Sequence, residues 1–226
     1  MTSRPAFTIA VAGVATDVGK TWIAAALLAQ FRSMGRRVSA RKPVQSYAEG
    51  ATATDAEVLA SAAGEDPVSV CPRGRWYPLA MAPPMAAQRL GLAPIALSDL
   101  LAELQWPDDV DLGIVETVGG VRSPMADDGD SAAFVRALAP DHVVLVADAG
   151  VGAINSVRLC ASTLDPQAFT VVLNRFDRSD TVHEANRAWL GDRDGFAVVT
   201  SVDECVRRLD HFASLGATDP DGRMDG

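Results

Sequence analysis

The sequence predicts an α/β fold built on a mostly parallel sheet that is flanked by helices on both faces. Short, nearly continuous apolar segments rich in β-branched residues alternate with segments whose apolar residues recur at helical spacing. Strands that are covered on both faces have this continuous apolar character, and the helices between them provide the crossover connections. The chain has 226 residues, 48% of them hydrophobic and 22% charged, which is enough for one well-packed domain.

The first predicted unit is a strand, a loop and a helix. The strand AFTIAVAG covers residues 6–13, and the helix KTWIAAALLAQFRSMG covers residues 20–35 and stops at a glycine. Similar β-branched runs predict further strands at 37–44, 111–117, 142–148 and 169–175, and an edge strand at 196–200. Helical spacing predicts the remaining helices at 55–63, 97–105, 130–138, 154–163, 180–190 and 203–214.

Two segments have neither a strand-like nor a helix-like pattern of apolar residues. Residues 64–96 are rich in Pro, Gly and Met, and we predict a long excursion over the carboxyl-end edge of the sheet, where parallel α/β sheets bind their ligands. Residues 216–226, GATDPDGRMDG, are predicted to be a disordered tail. Because no linker-like composition interrupts the chain before the tail, residues 1–215 are predicted to form a single domain.

Charge and composition exclude several classes of function. The formal net charge of −9 opposes binding to nucleic acid, whose backbone is held by Lys and Arg. No stretch is long and apolar enough to cross a membrane, and the first residues lack a secretory signal, so a cytoplasmic protein is expected. The three cysteines, Cys71, Cys160 and Cys205, have no metal-binding spacing and are expected to be reduced thiols.

The loop after the first strand, GVATDVGKT, ends in Gly-Lys-Thr as a phosphate-binding loop does. Gly13 lies one residue earlier than the usual G-x-x-x-x-G-K-[ST] pattern requires, and Val14 stands in its place. The context is that of a P-loop, because backbone N–H groups at the helix start would face phosphates, with Lys20 near the outer phosphates and Thr21 on Mg²⁺. The alternative is a chance Gly-Lys-Thr at a strand-to-helix junction.

Three further polar residues fall at the same predicted edge. Lys42 ends the second strand and precedes a proline, although a lysine there is often only a solvated strand end. Asp55 begins a predicted helix, where stabilisation of the helix N terminus is an equally good explanation. Glu116 closes a buried apolar strand before a glycine pair, a place where an acid rarely has a structural role. Thr21, Asp55 and Glu116 together form a set of hard oxygen ligands that suits Mg²⁺.

These residues resemble the dethiobiotin synthetase family over residues 8–200. The matching segments, in the family's order and approximate spacing, are GVATDVGKT, KPVQS, Asp55, YPLAMAPPMAA at 77–87, VETVGG at 115–120, GAINS at 152–156 and Asn174. The family's phosphate loop itself has one extra residue between its glycines, which explains the position of Gly13. The resemblance implies a P-loop NTPase-like fold and a homodimer.

The resemblance also implies a reaction, namely closure of the ureido ring of dethiobiotin from 7,8-diaminopelargonate, CO₂ and Mg·ATP. One amine captures CO₂ as a carbamate, the carbamate attacks the γ-phosphate, and the second amine then attacks the carbamic-phosphoric anhydride. Because the amines are the nucleophiles, the protein has to supply positioning and charge neutralisation.

Roles of individual residues follow from the same resemblance. The implied catalytic residues are Lys20, Lys42 and Thr16. The implied nucleotide-binding residues are Gly13, Asp17, Val18, Gly19, Lys20, Thr21 and Asn174, of which Asn174 reads adenine. The implied substrate-binding residues are Thr16, Lys42, Ser46, Gly119 and Asn155, of which Asn155 meets the substrate carboxylate across a dimer interface. The implied metal ligands are Thr21, Asp55 and Glu116.

The sequence departs from the family in two places. Thr117 and Val118 replace two small residues of the family's E-G-A-G-G, which predicts an altered pocket. The segment FAVVTSVDE lacks the Gly-x-x-Pro that helps relatives to enclose the base, which leaves the base preference open.

Two other classes of function remain as alternatives. One is an amidoligase related to those of cobalamin synthesis, although the chain lacks the glutamine-amidotransferase domain expected there. The other is a nucleotide-dependent interaction protein of the ParA or MinD kind, whose loop carries a second lysine where this chain has Val14 and Ala15.

Overall fold

Ten strands and nine α-helices lie within residues 4–165 and 167–216, the part of the chain that this computed structural model describes. The strands are β1 (Phe7–Gly13), β2 (Val38–Arg41), β3 (Gln45–Ser46), β4 (Trp76–Tyr77), β5 (Leu112–Glu116), β6 (Pro124–Ala126), β7 (Gly129–Asp130), β8 (His142–Asp148), β9 (Phe169–Asn174) and β10 (Val198–Val199). The helices are α1 (Lys20–Ser33), α2 (Asp55–Ala63), α3 (Pro67–Val70), α4 (Pro83–Arg89), α5 (Leu97–Ala102), α6 (Ser131–Leu138), α7 (Ala153–Leu164), α8 (Thr181–Ala188) and α9 (Val202–Gly216).

Six strands form the central sheet, in the order β10-β9-β8-β1-β5-β2. Every neighbouring pair in this sheet is parallel. The predicted fold class is therefore confirmed, and β10 is the edge strand that the sequence predicts. Because the strands all run the same way, their carboxyl ends meet at one edge of the sheet, and β1, β5 and β2 end side by side there.

The continuous apolar character of β1 has a direct structural cause. Ile9 and Val11 pack into a core with α1, α2 and α9, whereas Ala10 and Ala12 pack into a second core with α6 and α7. Since both faces of the strand are buried, no position along it favours a polar side chain. A third apolar cluster lies under α4, α5 and the β6–β7 hairpin, and contains Tyr77 and Leu100.

The second strand is shorter than the predicted 37–44 and ends at Arg41. The backbone N–H of Lys42 donates to the carbonyl of Val70 at 2.8 Å instead of continuing the sheet, and Pro43 has no N–H to donate. The chain then leaves the sheet and forms β3, which pairs with β4. The predicted strand thus includes three residues that turn away toward the carboxyl edge.

The segment 64–96 contains more regular structure than the sequence predicts, since it includes α3, β4 and α4. The β6–β7 hairpin at Pro124–Asp130 is also absent from the prediction. These elements have two to seven residues each, too few for a hydrophobic period to emerge. The part of the excursion before α4 nevertheless reaches the carboxyl edge of the sheet, because Ala80 to Pro83 line the cavity found there.

Of the predicted tail, Gly216 is the last residue of α9, and residues 217–226 lie outside the described residues. No helix in the described part of the chain is long and apolar enough to span a bilayer. Cys71, Cys160 and Cys205 are buried free thiols, as expected. Burial raises the pKa of Cys71 and Cys205 to about 12, so these thiols stay protonated at neutral pH.

Candidate active site

A cavity of about 750 Å³ opens at the carboxyl edge of the sheet, where β1, β2 and β5 end. It is bounded by the loop before α1, by the start of α2 and by the segment before α4. Most of the residues that the sequence singles out line this one cavity, namely Thr16, Asp17, Gly19, Lys20, Thr21, Lys42, Ser46, Asp55, Glu116 and Gly119. Thr16 and Gly119, which are 103 positions apart in the chain, thereby belong to the wall of the same cavity.

The loop between β1 and α1 has the form that phosphate binding requires. Gly13 ends β1 and packs against the side chain of Lys20. Gly19 caps the start of α1 with a φ of 93°, and a Cβ there would lie 2.1 Å from the Asn174 amide nitrogen. Only glycine combines this left-handed conformation with so close a neighbour. The first N–H groups of α1 have no carbonyl partner within the helix, and Gly19, Lys20 and Thr21 line the cavity.

The only two lysines of the chain, Lys20 and Lys42, both line this cavity. Lys20 is 7% exposed, and its ammonium donates to the carbonyl of Ala15 at 3.1 Å. Burial and the nearby charge of Lys42 lower the pKa of Lys20. Burial opposes charging of Lys42 as well, but Asp55 and Glu116 outweigh it and raise the pKa of Lys42. Lys42 is therefore a fixed positive charge at the floor of the cavity.

Thr21, Asp55 and Glu116 lie together, as the predicted metal site requires. The Thr21 hydroxyl lies 3.0 Å from Asp55 Oδ1 and 2.9 Å from Glu116 Oε1 and donates to these carboxylates. The ammonium of Lys42 lies 2.8 Å from Asp55 Oδ2 and 2.7 Å from Glu116 Oε1, and also donates to the Thr117 carbonyl. Lys42 was predicted to contact the substrate and the transferring phosphoryl group, and the structure adds that both acidic side chains hold it in place.

The surroundings of Asp55 and Glu116 shift the pKa values of the two carboxyl groups in opposite directions. The Coulombic attraction of Lys42 lowers the pKa of Asp55, which is half-exposed at the start of α2. Burial raises the pKa of Glu116, which is completely enclosed, and Lys42 opposes that rise. The Oε2 atom of Glu116 is buried and has no hydrogen-bond partner. A buried carboxylate oxygen without a partner is costly, and a bound cation would satisfy it.

The side chains of this cluster suit a divalent cation. Thr21, Asp55 and Glu116 offer hard oxygen donors, and one of those oxygens is unused. No group of three or more His, Cys, Asp or Glu side chains with metal-binding geometry occurs among the described residues. A divalent cation here would need further oxygens from a nucleotide and from water, which is the coordination that Mg²⁺ favours. The residues present fit that ion.

The departure at ETVGG reaches the cavity wall at only one of its two replaced positions. Thr117 does not have a positive φ, and its buried side chain donates to the Val11 carbonyl at 3.3 Å, toward β1. Gly119 is the residue that needs glycine, with a φ of 53° and a Ser123 hydroxyl 2.3 Å from where a Cβ would lie. Of the two replaced positions only Val118 lines the cavity, so the expected alteration is confined to that side chain.

The end of the cavity away from the loop is formed by the segment after β2. The Ser46 hydroxyl donates to the Met81 carbonyl at 2.6 Å, which joins the two walls. Gln45 is 1% exposed, and its amide oxygen accepts from the N–H of Ala56 at 3.0 Å. The amide nitrogen of Gln45 is buried without a partner. Sequence reasoning missed Gln45, although it lies within KPVQS, and this unused donor is the signal that identifies it.

A second cavity of about 720 Å³ adjoins the first and contains Asn174, which the sequence assigned to base binding. The side-chain amide of Asn174 donates to the Val18 carbonyl at 2.9 Å, so it also supports the phosphate loop from behind. Gly19 and Arg175 line both cavities. Arg175 donates to the Asp17 carbonyl at 2.9 Å and to Asp148 at 2.8 Å, and no motif in the sequence pointed to it.

Three of the predicted residues line neither cavity, namely Gly13 and Val18, which belong to the phosphate-loop segment, and Asn155, which lies apart from that segment. Asn155 is exposed on the first turn of α7. Within one chain it therefore does not reach the candidate active site. Its assignment depended on a second subunit from the start, and it stays a prediction that requires one.

Solved structures with a similar fold support the P-loop architecture. Cobyrinic acid a,c-diamide synthase from Mycobacterium smegmatis, solved with bound ADP and magnesium, superposes with a TM-score of 0.54 at 17% identity and covers 93% of this chain and 92% of its own. A putative plasmid partition protein from Borrelia burgdorferi bound to AMPPNP has a TM-score of 0.54 at 13% identity and covers 94% and 98%. At these identities the likeness extends to the fold alone.

Sequence relatives are more specific than the structural neighbours. The AAA_26 family model, an AAA domain, matches residues 7–204. The ATP-dependent dethiobiotin synthetase BioD of Nitrosospira multiformis is 34% identical over 183 residues, which cover 78% of this chain and 79% of the relative. The protein of the same name from Rhodococcus jostii is 31% identical over 214 residues, which cover 92% and 91%. With a phosphate loop, two lysines and paired acids in one cavity, the chain therefore belongs to the ATP-dependent dethiobiotin synthetase family.

Proposed function

We propose that this protein is an ATP-dependent dethiobiotin synthetase that closes the ureido ring from 7,8-diaminopelargonate and CO₂ in biotin biosynthesis. The observation that carries the proposal is the convergence of Lys20, Lys42 and Glu116 on one cavity between a phosphate loop and a second polar wall. Phosphoryl transfer needs concentrated positive charge at the point where an anionic nucleophile meets the γ-phosphate, because both reactants are anions. The two lysines provide that charge.

The phosphate loop would bind the triphosphate. Backbone N–H groups at the start of α1 face the outer phosphates, and Lys20 exchanges its contact with the Ala15 carbonyl for phosphate oxygens. Thr21, Asp55 and Glu116 would hold Mg²⁺. When bound, the ion neutralises charge on the β- and γ-phosphates and helps to orient them.

The second wall would bind the diamine. The carbamate that forms on one amine carries a negative charge beside Lys42, whose ammonium is held rigidly by Asp55 and Glu116. The carbamate oxygen forms a bond to the γ-phosphorus as the bond to ADP breaks. The second amine then attacks the carbonyl carbon, phosphate leaves, and the ring closes. Thr16, Ser46 and Gly119 line the same cavity and would contact the diamine.

Cellular and assembly properties follow from the same proposal. A biosynthetic enzyme of this family would act in the cytoplasm, and a homodimer would bring Asn155 of one subunit to the substrate of the other. The related amidoligase and partition-protein functions, which the sequence left open, appear among the structural neighbours, at 17% and 13% identity. The relatives at 31–36% identity carry the dethiobiotin synthetase name, which favours that function.

The deciding experiment measures ADP release from the purified protein with Mg·ATP. The expected result is slow release with ATP alone, slow release with either 7,8-diaminopelargonate or bicarbonate-derived CO₂ alone, and rapid release with both. Mass spectrometry should then detect dethiobiotin in a one-to-one ratio with ADP. Rapid ADP release that ignores the diamine would overturn the assignment and favour a relative that acts on another acceptor.

A further inference from the structure

Trp22 is an exposed aromatic residue next to the phosphate loop. It follows Thr21 on the first turn of α1 and is 60% exposed, whereas its neighbour Ile23 is 2% exposed. An exposed tryptophan leaves a large apolar surface in water, and a protein gains by covering it. Trp22 belongs to the wall of the second cavity, together with Asn174.

The other three tryptophans of the chain have their ring faces occupied. Arg73 lies over Trp76 at 4.1 Å and Arg41 lies over Trp106 at 4.7 Å. Trp189 has two guanidinium groups near its ring, at 5.9 Å and 5.6 Å. Within residues 4–165 and 167–216, Trp22 has neither an arginine nor another aromatic ring against it. Its π face is available to a ligand.

The two cavities share part of their walls. Gly19 and Arg175 belong to the walls of both. A triphosphate on the loop before α1 would therefore extend past Gly19 into the second cavity, where the base of the same nucleotide would arrive. The remaining walls of that cavity combine apolar and polar side chains, contributed by Ile23, Val172, Leu173, Phe176, Thr200, Ser201, Val202 and Asp203.

A nucleobase needs a flat partner for its ring and hydrogen bonds for its edge. One N–H of the Asn174 amide donates to the Val18 carbonyl, which leaves the amide oxygen as an acceptor and the second N–H as a donor for the edge of a base. Asn174 can therefore form hydrogen bonds with the edge of the base, but it offers no flat surface on which the base could stack. Two aromatic side chains lie in the wall of this cavity, Trp22 and Phe176. The ring of Phe176 has the His183 ring 5.8 Å away, whereas no ring or guanidinium of the described residues lies against Trp22, and indole is an effective stacking surface for any base.

We propose that Trp22 stacks on the nucleobase of the bound nucleotide and supplies much of the base-dependent affinity. This inference deepens the proposed function, because it assigns the base contact of the same nucleotide site. Since every base presents a π face, stacking on Trp22 strengthens binding without selecting adenine, and selection is left to edge contacts such as that of Asn174.

The test compares ATP with inorganic triphosphate, a ligand that has the phosphates but no base. Calorimetry with Mg²⁺ would measure both affinities for the wild-type chain, for Trp22→Ala and for Trp22→Phe. Trp22→Ala should weaken ATP binding by roughly tenfold and leave triphosphate binding unchanged, and Trp22→Phe should restore most of the loss. Trp189→Ala, which removes an exposed tryptophan that lines neither cavity, is the matched control and should bind ATP like the wild type.

A second measurement uses the tryptophan fluorescence of the protein. It remains applicable if triphosphate binding is too weak for calorimetry. ATP should change tryptophan emission in the wild type, and this change should be lost in Trp22→Phe. Unchanged ATP affinity in Trp22→Ala, or equal losses for ATP and triphosphate, would overturn the stacking role. Neither measurement involves the diamine. A Trp22-dependent ATP affinity without dethiobiotin formation would refute only the proposed function, and dethiobiotin formation without Trp22 dependence would refute only this inference.

Discussion

The ammonium of Lys42 lies 2.7 Å from Glu116 Oε1, in a pair whose side chains are 2% and 1% exposed. Removing two charges from water costs several kcal/mol per ion, and an apolar pair of similar size often stabilises a protein equally well. Stability alone therefore does not explain this pair. A fixed charge that faces a phosphate-binding cavity does explain it, because the carboxylates hold Lys42 in the position where negative charge would develop.

Lys42→Ala should lower kcat by roughly 10²–10³ and change ATP affinity much less, because its contact with the reacting groups strengthens in the transition state. Single-turnover kinetics and ATP titrations would measure the two effects separately. Lys42→Gln retains a donor without the charge and should give an intermediate rate. Arg37→Ala removes an exposed cation elsewhere and should behave like the wild type. A Lys42→Ala enzyme with normal kcat would contradict the role of this lysine.

Glu116→Gln should reduce activity and raise the Mg²⁺ concentration needed for half-maximal rate, because the amide keeps the size of the side chain but loses the anion. Rates measured over a series of Mg²⁺ concentrations would test this. Glu103→Gln is the matched control, since Glu103 pairs with Arg75 outside the candidate active site. If Glu116→Gln lowers only the melting temperature and the Mg²⁺ dependence stays as in the wild type, Glu116 is a structural residue.

Lys20→Ala should abolish turnover and retain the fold. The variant removes the ammonium that would meet the outer phosphates, while the apolar contacts of α1 with the core remain. Circular dichroism and a thermal melt would verify folding before ADP release is measured. Turnover at the wild-type rate in a verified Lys20→Ala protein would refute the assignment of the nucleotide site.

Stability should fall between pH 6.5 and pH 4 because of His142. Burial and the charge of Arg208 lower the pKa of His142 to about 4, and its ring lies 2.8 Å from the Thr170 hydroxyl. The unfolded chain binds a proton at about pH 6.5 and the folded chain does not, so this stability is present above pH 6.5 and is lost toward pH 4. The loss should reach up to about 3 kcal/mol, as the two pKa values differ by roughly 2.5.

Urea unfolding at several pH values would measure this effect. Because carboxylates also titrate in the range, the informative quantity is the difference in slope between the wild type and His142→Gln. The variant should lose less stability than the wild type as the pH falls. His211→Gln changes an exposed histidine on α9 and should follow the wild type. Parallel curves for the wild type and His142→Gln would refute the contribution of His142.

The longer helices and strands were predictable because the residues at their ends and their pattern of apolar residues favour the same structure that packing in the fold requires. Helix α2 begins and ends where the sequence predicts, since Thr54 and Glu57 form a capping box and Gly64 adopts the left-handed conformation at its end. Strands β3 and β4 were not predictable, because two residues carry no period and their pairing depends on contacts such as Tyr47 N–H to the Tyr77 carbonyl.

The candidate active site was predictable where a residue belongs to a motif and less so elsewhere. Lys20, Thr21 and Glu116 follow from a loop pattern and from an acid at a strand end. Gln45 and Arg175 enter the site through their partners, namely the N–H of Ala56 and the carbonyl of Asp17, and no spacing in the chain encodes those contacts. The place of Thr117 was not predictable for a related reason, because its side chain lies outside the cavity wall and donates to the Val11 carbonyl.

Because lysine occurs only at positions 20 and 42, reagents that react with amines can label this protein selectively. A lowered pKa leaves more of the Lys20 amine unprotonated and nucleophilic at neutral pH, whereas Lys42 stays protonated. An acyl-phosphate derivative of ATP should consequently acylate Lys20 and spare Lys42. Since no other side chain carries a primary amine, the extent of labelling would count intact nucleotide sites directly. Coupling the protein to a surface or a dye through lysine would, by the same chemistry, block those sites.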